Sequence, residues 1–160
     1  MAHRHDGETA LIVIESAIDK KLISPAVAQT ILSSIPEYRR RATAKYLCSN
    51  SQSGSETRVR LFLQKRGLTV QPQARIPQVG FVDMLVGNSL IIECDGMEYH
   101  HTVAAFENDR RRDFHAQLMG YRVLRLSYSQ IWHNWENTAL LLAELISTRT
   151  YLAPPKPAKL

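Results

Sequence analysis

The chain has no run of about 18 uninterrupted apolar residues, the length a membrane-spanning helix needs, so none of its segments reads as a transmembrane span. Its start, MAHRHDGETA, has neither the long apolar region nor the cleavage site of a secretory leader. Cysteine is scarce: Cys48 and Cys94 stand far apart with no metal-type spacing. Reduced thiols in a cytoplasmic protein are therefore expected, and a disulfide framework or zinc site is not. No internal repeat is evident.

What remains fits one compact domain with a short appended segment, since 160 residues at 44% apolar content can bury a real core. The formal charge is +5 and the isoelectric point about 9.4. That balance suits a polyanionic partner, although many basic proteins never meet one. The cations gather in Arg39-Arg40-Arg41 and Arg110-Arg111-Arg112, each beside a helical pattern. Taken alone, such clusters read as solvated helix faces.

The first fifty residues read as helices. Ala10, Leu11, Ile14, Ala17, Ile18 and Leu22 recur at steps of three and four. Ser24-Pro25 looks like a cap and first helical position of a second helix burying Val27, Ile31 and Leu32. Ser34-Ile35-Pro36-Glu37 would open a third, basic helix towards Leu47. The polar run Ser49 to Ser55 is the best boundary. Beyond it, Glu56 to Arg66 reads as a helix with Val59, Phe62 and Leu63 inward, closed by Gly67. Leu68 to Ile76 is predicted as an edge strand, because Pro72 removes a ladder donor. Val79 to Val86 and Leu90 to Asp95 form a hairpin around Gly87-Asn88-Ser89. A helix from Val103 to Met119, a strand from Tyr121 to Leu126 and a helix from Ser129 to Thr148 complete the pattern. The expected organisation is a helical segment over 1–50, an α/β domain over 51–150 and a flexible tail over 151–160. The domain's order is α-β-β-β-α-β-α, a mixed sheet flanked by helices.

Acidic residues sit inside this apolar pattern. Strand alternation points Glu93 and Asp95 one way and Cys94 the other. A three-residue turn pairs Val86 with Leu90 and sets Asp83 opposite Glu93; a two-residue turn would pair Asp83 with Ile92. The first register is the expectation, because it collects three carboxylates at one point. Converging carboxylates repel one another and raise their pKa values unless a cation intervenes. A hard ion such as Mg²⁺ would neutralise them, activate a water and stabilise charge on a phosphoryl group. Salt bridges to nearby arginines are the competing explanation. His100, with a pKa near neutrality, is the preferred candidate for general acid or base; His101 reads as a solvent-facing neighbour.

Asp83, the run Ile92-Glu93-Cys94-Asp95-Gly96, Tyr99-His100, Asp109-Arg110-Arg111-Arg112 and Gly120-Tyr121-Arg122-Val123-Leu124-Arg125 together resemble the PD-(D/E)XK nuclease superfamily. The order and spacing are similar to its branch related to the very-short-patch-repair endonucleases, over roughly 53–131. The resemblance implies a restriction-endonuclease-like fold and Mg²⁺-dependent cleavage of DNA phosphodiester bonds, with Mn²⁺ as a substitute. It implies metal binding by Asp83, Glu93 and Asp95, with the Cys94 backbone carbonyl as a further ligand, and a catalytic role for His100. Many members carry lysine where Asp95 stands, so Asp95 or His100 would have to manage the water instead. Glu56 matches an acid often found on the preceding helix; it fits equally the third position of a helix cap opened by Ser53. The first fifty residues resemble a connecting region of longer bacterial proteins, and a short stand-alone form is expected.

With that context, Arg110, Arg111, Arg112, Arg122 and Arg125 become candidates for nucleic-acid binding through phosphates. They cannot all act together: some would pair with Asp109 or Asp113, and at most one of Arg122 and Arg125 should approach the acids. Trp132 and Trp135 are expected to pack on the sheet. DNA is the expected partner, with a homodimer or a protein partner supplying specificity. The rival to an endonuclease or nickase is a weak or inactive nuclease-fold module that binds nucleic acid or regulates.

Overall fold

Four strands form one mixed sheet in the order β1-β2-β3-β4: β1 (Val70–Ile76), β2 (Gly80–Val86), β3 (Leu90–Asp95) and β4 (Arg122–Ser127). The computed structural model describes residues 7–34, 44–96 and 103–157. β1, β2 and β3 pair antiparallel and β3 with β4 parallel, the crossover being helix α4 (Val103–Leu118). Pro72 lies on an edge strand, as its missing donor requires. The architecture is restriction-endonuclease-like: a mixed sheet with helices on both faces.

One face of the sheet carries α3 (Gly54–Gln64) and the two C-terminal helices. Val59, Phe62 and Leu63 meet Met84, Val86, Ile92 and Ile131 there. On the other face Ala116 of α4 meets Ile76, Val82 and Ile91. α3 begins where Ser53 accepts a bond from the Glu56 amide at 3.1 Å. Its outer side is buried as well, because α1 (Gly7–Asp19) lies across it.

The N-terminal helices depart from the expected pattern at two points. α1 buries Leu11, Ile14 and Ile18 but ends at Asp19, so Leu22 lies beyond the buried stripe and is 73% exposed. α2 (Pro25–Ser34) starts with the Val27 amide bonded to Ser24 Oγ, as expected. It turns Ala28 and Leu32 inward, a pair four residues apart; Val27 and Ile31, one residue earlier on the wheel, are left exposed. The basic helix predicted around Arg39–Arg41 falls largely outside the described residues, and Ala44–Tyr46 forms a short 3₁₀ turn.

The last predicted helix is two. Ser127 and Gln130 form a reciprocal capping box that opens α5 (Tyr128–Trp132). The His133 and Asn134 amides then both turn back to the Ser129 carbonyl, and the chain restarts as α6 (Trp135–Ser147). Trp132 and Trp135 pack against the core, with the Arg58 guanidinium 5.1 and 4.7 Å from their rings. The segment expected as a flexible tail over 151–160 begins with bonded residues. The Asn88 amide donates to the Tyr151 carbonyl at 2.8 Å and its side chain to that of Leu152. Gly87 (φ 58) allows this approach, because a Cβ there would meet Tyr151 at 2.7 Å. The clasp holds the β2–β3 turn at the end of the sheet away from the acids. Among the described residues no helix is long and apolar enough to cross a membrane.

Candidate active site

Val86 pairs with Leu90, Leu85 with Ile91 and Met84 with Ile92, which is the register of the three-residue turn. Asp83 is therefore opposite Glu93, and there the regular pairing stops. Gln73, opposite Asp83 on β1, likewise has no place in the pairing register and takes a left-handed conformation (φ 48). Val82 belongs to the α4 face of the core, whereas Met84 and Val86 belong to the α3 face. Residues of the same parity on opposite faces mean that β2 turns over at Asp83. β1 turns over beside it, with Val70 on the α3 face and Ala74 and Ile76 on the other.

The turn-over frees backbone groups that carboxylates then take. The Asp83 amide donates to Glu93 Oε2 at 2.9 Å, and the Cys94 amide donates to Asp83 Oδ2 at 2.7 Å. Each acid thus bonds the backbone of the facing strand. Gln73 links them to the N-terminus of α3: it donates to Glu56 Oε2 at 3.1 Å and is also hydrogen-bonded to Asp83. Glu56 further accepts from the Gln52 amide and the Ser53 hydroxyl, both at 3.0 Å. It serves the cap and borders the acids at once, so its two sequence readings coexist. The Cys94 side chain packs into the core on the α3 face. Burial, with the carboxylates around it, raises the thiol pKa, so Cys94 offers no thiolate here.

Two arginines stand against the acids. Arg112 reaches Glu93 Oε1 at 3.5 Å and Asp109 at 3.7 Å, and donates to the carbonyls of Val79 and Phe81. Arg125 reaches Asp95 at 3.4 Å and Asp113 at 2.8 Å. Arg111 bonds Asn108, and Arg110 also has a partner. Arg122 lies beside Leu90 at the far end of the sheet and donates to Thr150, so Arg125 alone of that pair approaches the acids. Asp83 and Glu93 interlock directly and Glu56 joins them through Gln73, whereas the Asp95 carboxylate is drawn to Arg125. Among the described residues no three His, Cys, Asp or Glu side chains form a ready-made metal cage. His100, with Tyr99 and His101, lies outside the described residues. Asp113 was expected as an arginine partner and pairs with Arg125; Gln73 was not foreseen, and nothing in the sequence pattern marks it.

Electrostatics distinguishes this cluster from an ordinary salt-bridge network. Burial, reinforced by repulsion from Asp83, raises the Glu93 carboxyl to about 7, even though the Asp83 amide, Arg112 and Arg125 oppose the shift. Burial likewise raises Asp83 and Glu56, with Asp95 repelling the first and Asp83 the second. The arginines present thus leave the pair under-neutralised. A carboxyl raised in the folded state favours folding while protonated. Its contribution is complete below the reference value of 4.5 and is lost as pH rises through about 7. The metal-free protein is accordingly expected to lose stability across that window, and Glu93→Gln to flatten the loss. Urea midpoints measured in chelator at several pH values check this.

The oxygen-rich donor set suits a hard divalent ion, which takes one or two carboxylates and keeps several waters. Asp83 and Glu93 each have one oxygen engaged by a backbone amide and a second not so engaged. The residues therefore fit such an ion without needing a full protein cage. The sequence model of the restriction-endonuclease-like family REase_MTES_1575 matches residues 56–146, a span containing every acid of the site. No curated protein and no solved structure matches the chain.

Proposed function

Because the chain belongs to the restriction-endonuclease-like family REase_MTES_1575, we propose that it is a metal-dependent endonuclease or nickase that hydrolyses DNA phosphodiester bonds in the cytoplasm. The observation that carries this reading is the Asp83–Glu93 pair, interlocked through facing backbone amides and under-neutralised by its arginines. Mg²⁺, or Mn²⁺ in its stead, would be held by Asp83 and Glu93, with Asp95 and the Cys94 carbonyl as further ligands. Once bound, the ion supplies charge neutralisation at the phosphoryl oxygens and a water of lowered pKa.

The chain's own residues do the positioning. Gln73 fixes Asp83 relative to Glu56, and the strand backbones hold both carboxylates without side-chain rearrangement. Arg112 and Arg125 offer guanidinium groups to a phosphate that approaches the acids. His100 is assigned proton transfer on the strength of the resemblance. The same motif residues support the very-short-patch-repair-like branch. A homodimer or a protein partner would supply specificity.

A second reading, a weak or inactive nuclease-fold module that binds nucleic acid, is favoured by one contact. Asp95 stands where many superfamily members carry lysine, and Arg125 engages it. The test uses an end-labelled DNA duplex with Mg²⁺ or Mn²⁺. Hydrolysis yields shortened strands bearing 3′-hydroxyl and 5′-phosphate ends that a ligase can reseal. Retained binding with no product in either metal supports the second reading.

A further inference from the structure

We propose that the cleft between the β1–β2 turn and α4 is a subsite for the sugar–phosphate backbone of the DNA strand leading away from the acidic centre. The inference rests on the nuclease reading and extends it to substrate engagement. The cleft has a volume of about 700 Å³, and Arg75, Val79, Phe81, Arg111, Arg112 and His115 are among its lining residues. No Asp or Glu lines it. Of its three arginines only Arg112 meets carboxylates, Glu93 and Asp109, and the excess of positive charge along the cleft suits a polyanion.

The cations differ in how they are held. Arg112 is fixed to the turn by the Val79 carbonyl at 2.9 Å and also meets Glu93, so one side chain joins the cleft to the acids. Arg111 is oriented by the neutral Asn108 side chain at 2.9 Å, which leaves its charge uncompensated there. Arg75 and His115 make no side-chain hydrogen bond or ion pair among the described residues. Phe81, the direct cross-strand partner of Arg75, is 62% exposed. An exposed aromatic ring beside the Arg75 guanidinium is the combination that holds a nucleic-acid strand, by stacking and by charge. A strand lying with one phosphate at Glu93 would pass Arg112 and enter this cleft.

The experiment measures binding of a fluorescent DNA duplex by Asp83→Asn protein, which is expected to hold substrate without cutting it. Adding Arg75→Ala and Arg111→Ala together is expected to weaken binding about tenfold or more. It should also reduce the slope of log affinity against log salt by about 2, as loss of two phosphate contacts requires. Phe81→Ala is expected to weaken binding with the slope unchanged. Circular dichroism identical to the parent guards against misfolding. Unchanged affinity and slope in the double variant, or tight binding of a free mononucleotide that the double variant abolishes while duplex binding persists, would overturn the proposal. If the wild type never cuts DNA yet the double variant binds it less well, the subsite stands and the nuclease reading fails.

Discussion

Asp83→Asn is expected to abolish metal-dependent DNA cleavage, lowering the rate by about 10³-fold, while leaving the fold intact. The magnitude follows from the several kcal/mol of charge stabilisation that a catalytic ion provides, at one decade in rate per about 1.4 kcal/mol. The structural half follows from the hydrogen bond. Asparagine keeps an acceptor oxygen where Asp83 takes the Cys94 amide at 2.7 Å, so the opened strand pairing stays closed by a side chain. Asp83→Ala removes that acceptor and should lose stability as well as activity, by about 1–3 kcal/mol for an unpaired buried amide. Single-turnover cleavage rates alongside urea unfolding separate the two effects. An Asp83→Asn protein that cut DNA at the wild-type rate would remove Asp83 from the chemistry.

Glu15→Ala is expected to destabilise the protein by about 3–5 kcal/mol, the cost of stranding one member of a buried ion pair. Glu15 and Arg60 are both 1% exposed. The Arg60 guanidinium donates to both Glu15 oxygens at 2.7 Å, Thr57 donates to Oε2 at 2.7 Å and the Cys48 amide to Oε1 at 2.8 Å. This network fastens α1 and the Cys48 segment to α3, the helix whose first turn carries Glu56. Removing Glu15 leaves Arg60 charged and buried with only Tyr46 and Gln64 as partners. The paired replacement Glu15→Leu with Arg60→Met should recover most of the loss, because it strands no charge. Denaturant midpoints of the three proteins measure this. Equal stability of Glu15→Ala and wild type would mean that α1 is not held to α3 by this pair.

The sheet and the pairing of Asp83 with Glu93 were legible because strand alternation and turn length are local properties. Gly87-Asn88-Ser89 sets the register, and the register sets which acids face each other. Cys94 could be assigned to the core by parity alone. The turn-over at Gln73 and Asp83 was not legible, since a left-handed glutamine has no signature in the sequence. Nothing in the sequence marks Glu15 and Arg60 as buried, because each sits in an ordinary amphipathic helix. Only the docking of α1 onto α3 buries them. α2 meets Ile14 and Ile18 of α1 through Ala28 and Leu32, and Val27 and Ile31 stay exposed. Asp95 was expected to complete a trio of acids. Its pairing with Arg125 depends on the parallel register of β3 and β4, which aligns Glu93 with Arg125. A long-range pairing of that kind leaves no trace in either segment.

The central claim is that the Asp83–Glu93 pair makes this chain a divalent-cation-dependent nuclease. Incubating supercoiled plasmid with the wild-type protein in Mg²⁺, in Mn²⁺ and in chelator tests it most directly. Nicked or linear DNA that accumulates with either metal, and vanishes in chelator and with Asp83→Asn, is the predicted result. Plasmid that stays supercoiled in both metals while the protein still binds it, or cutting that persists in chelator, would contradict it.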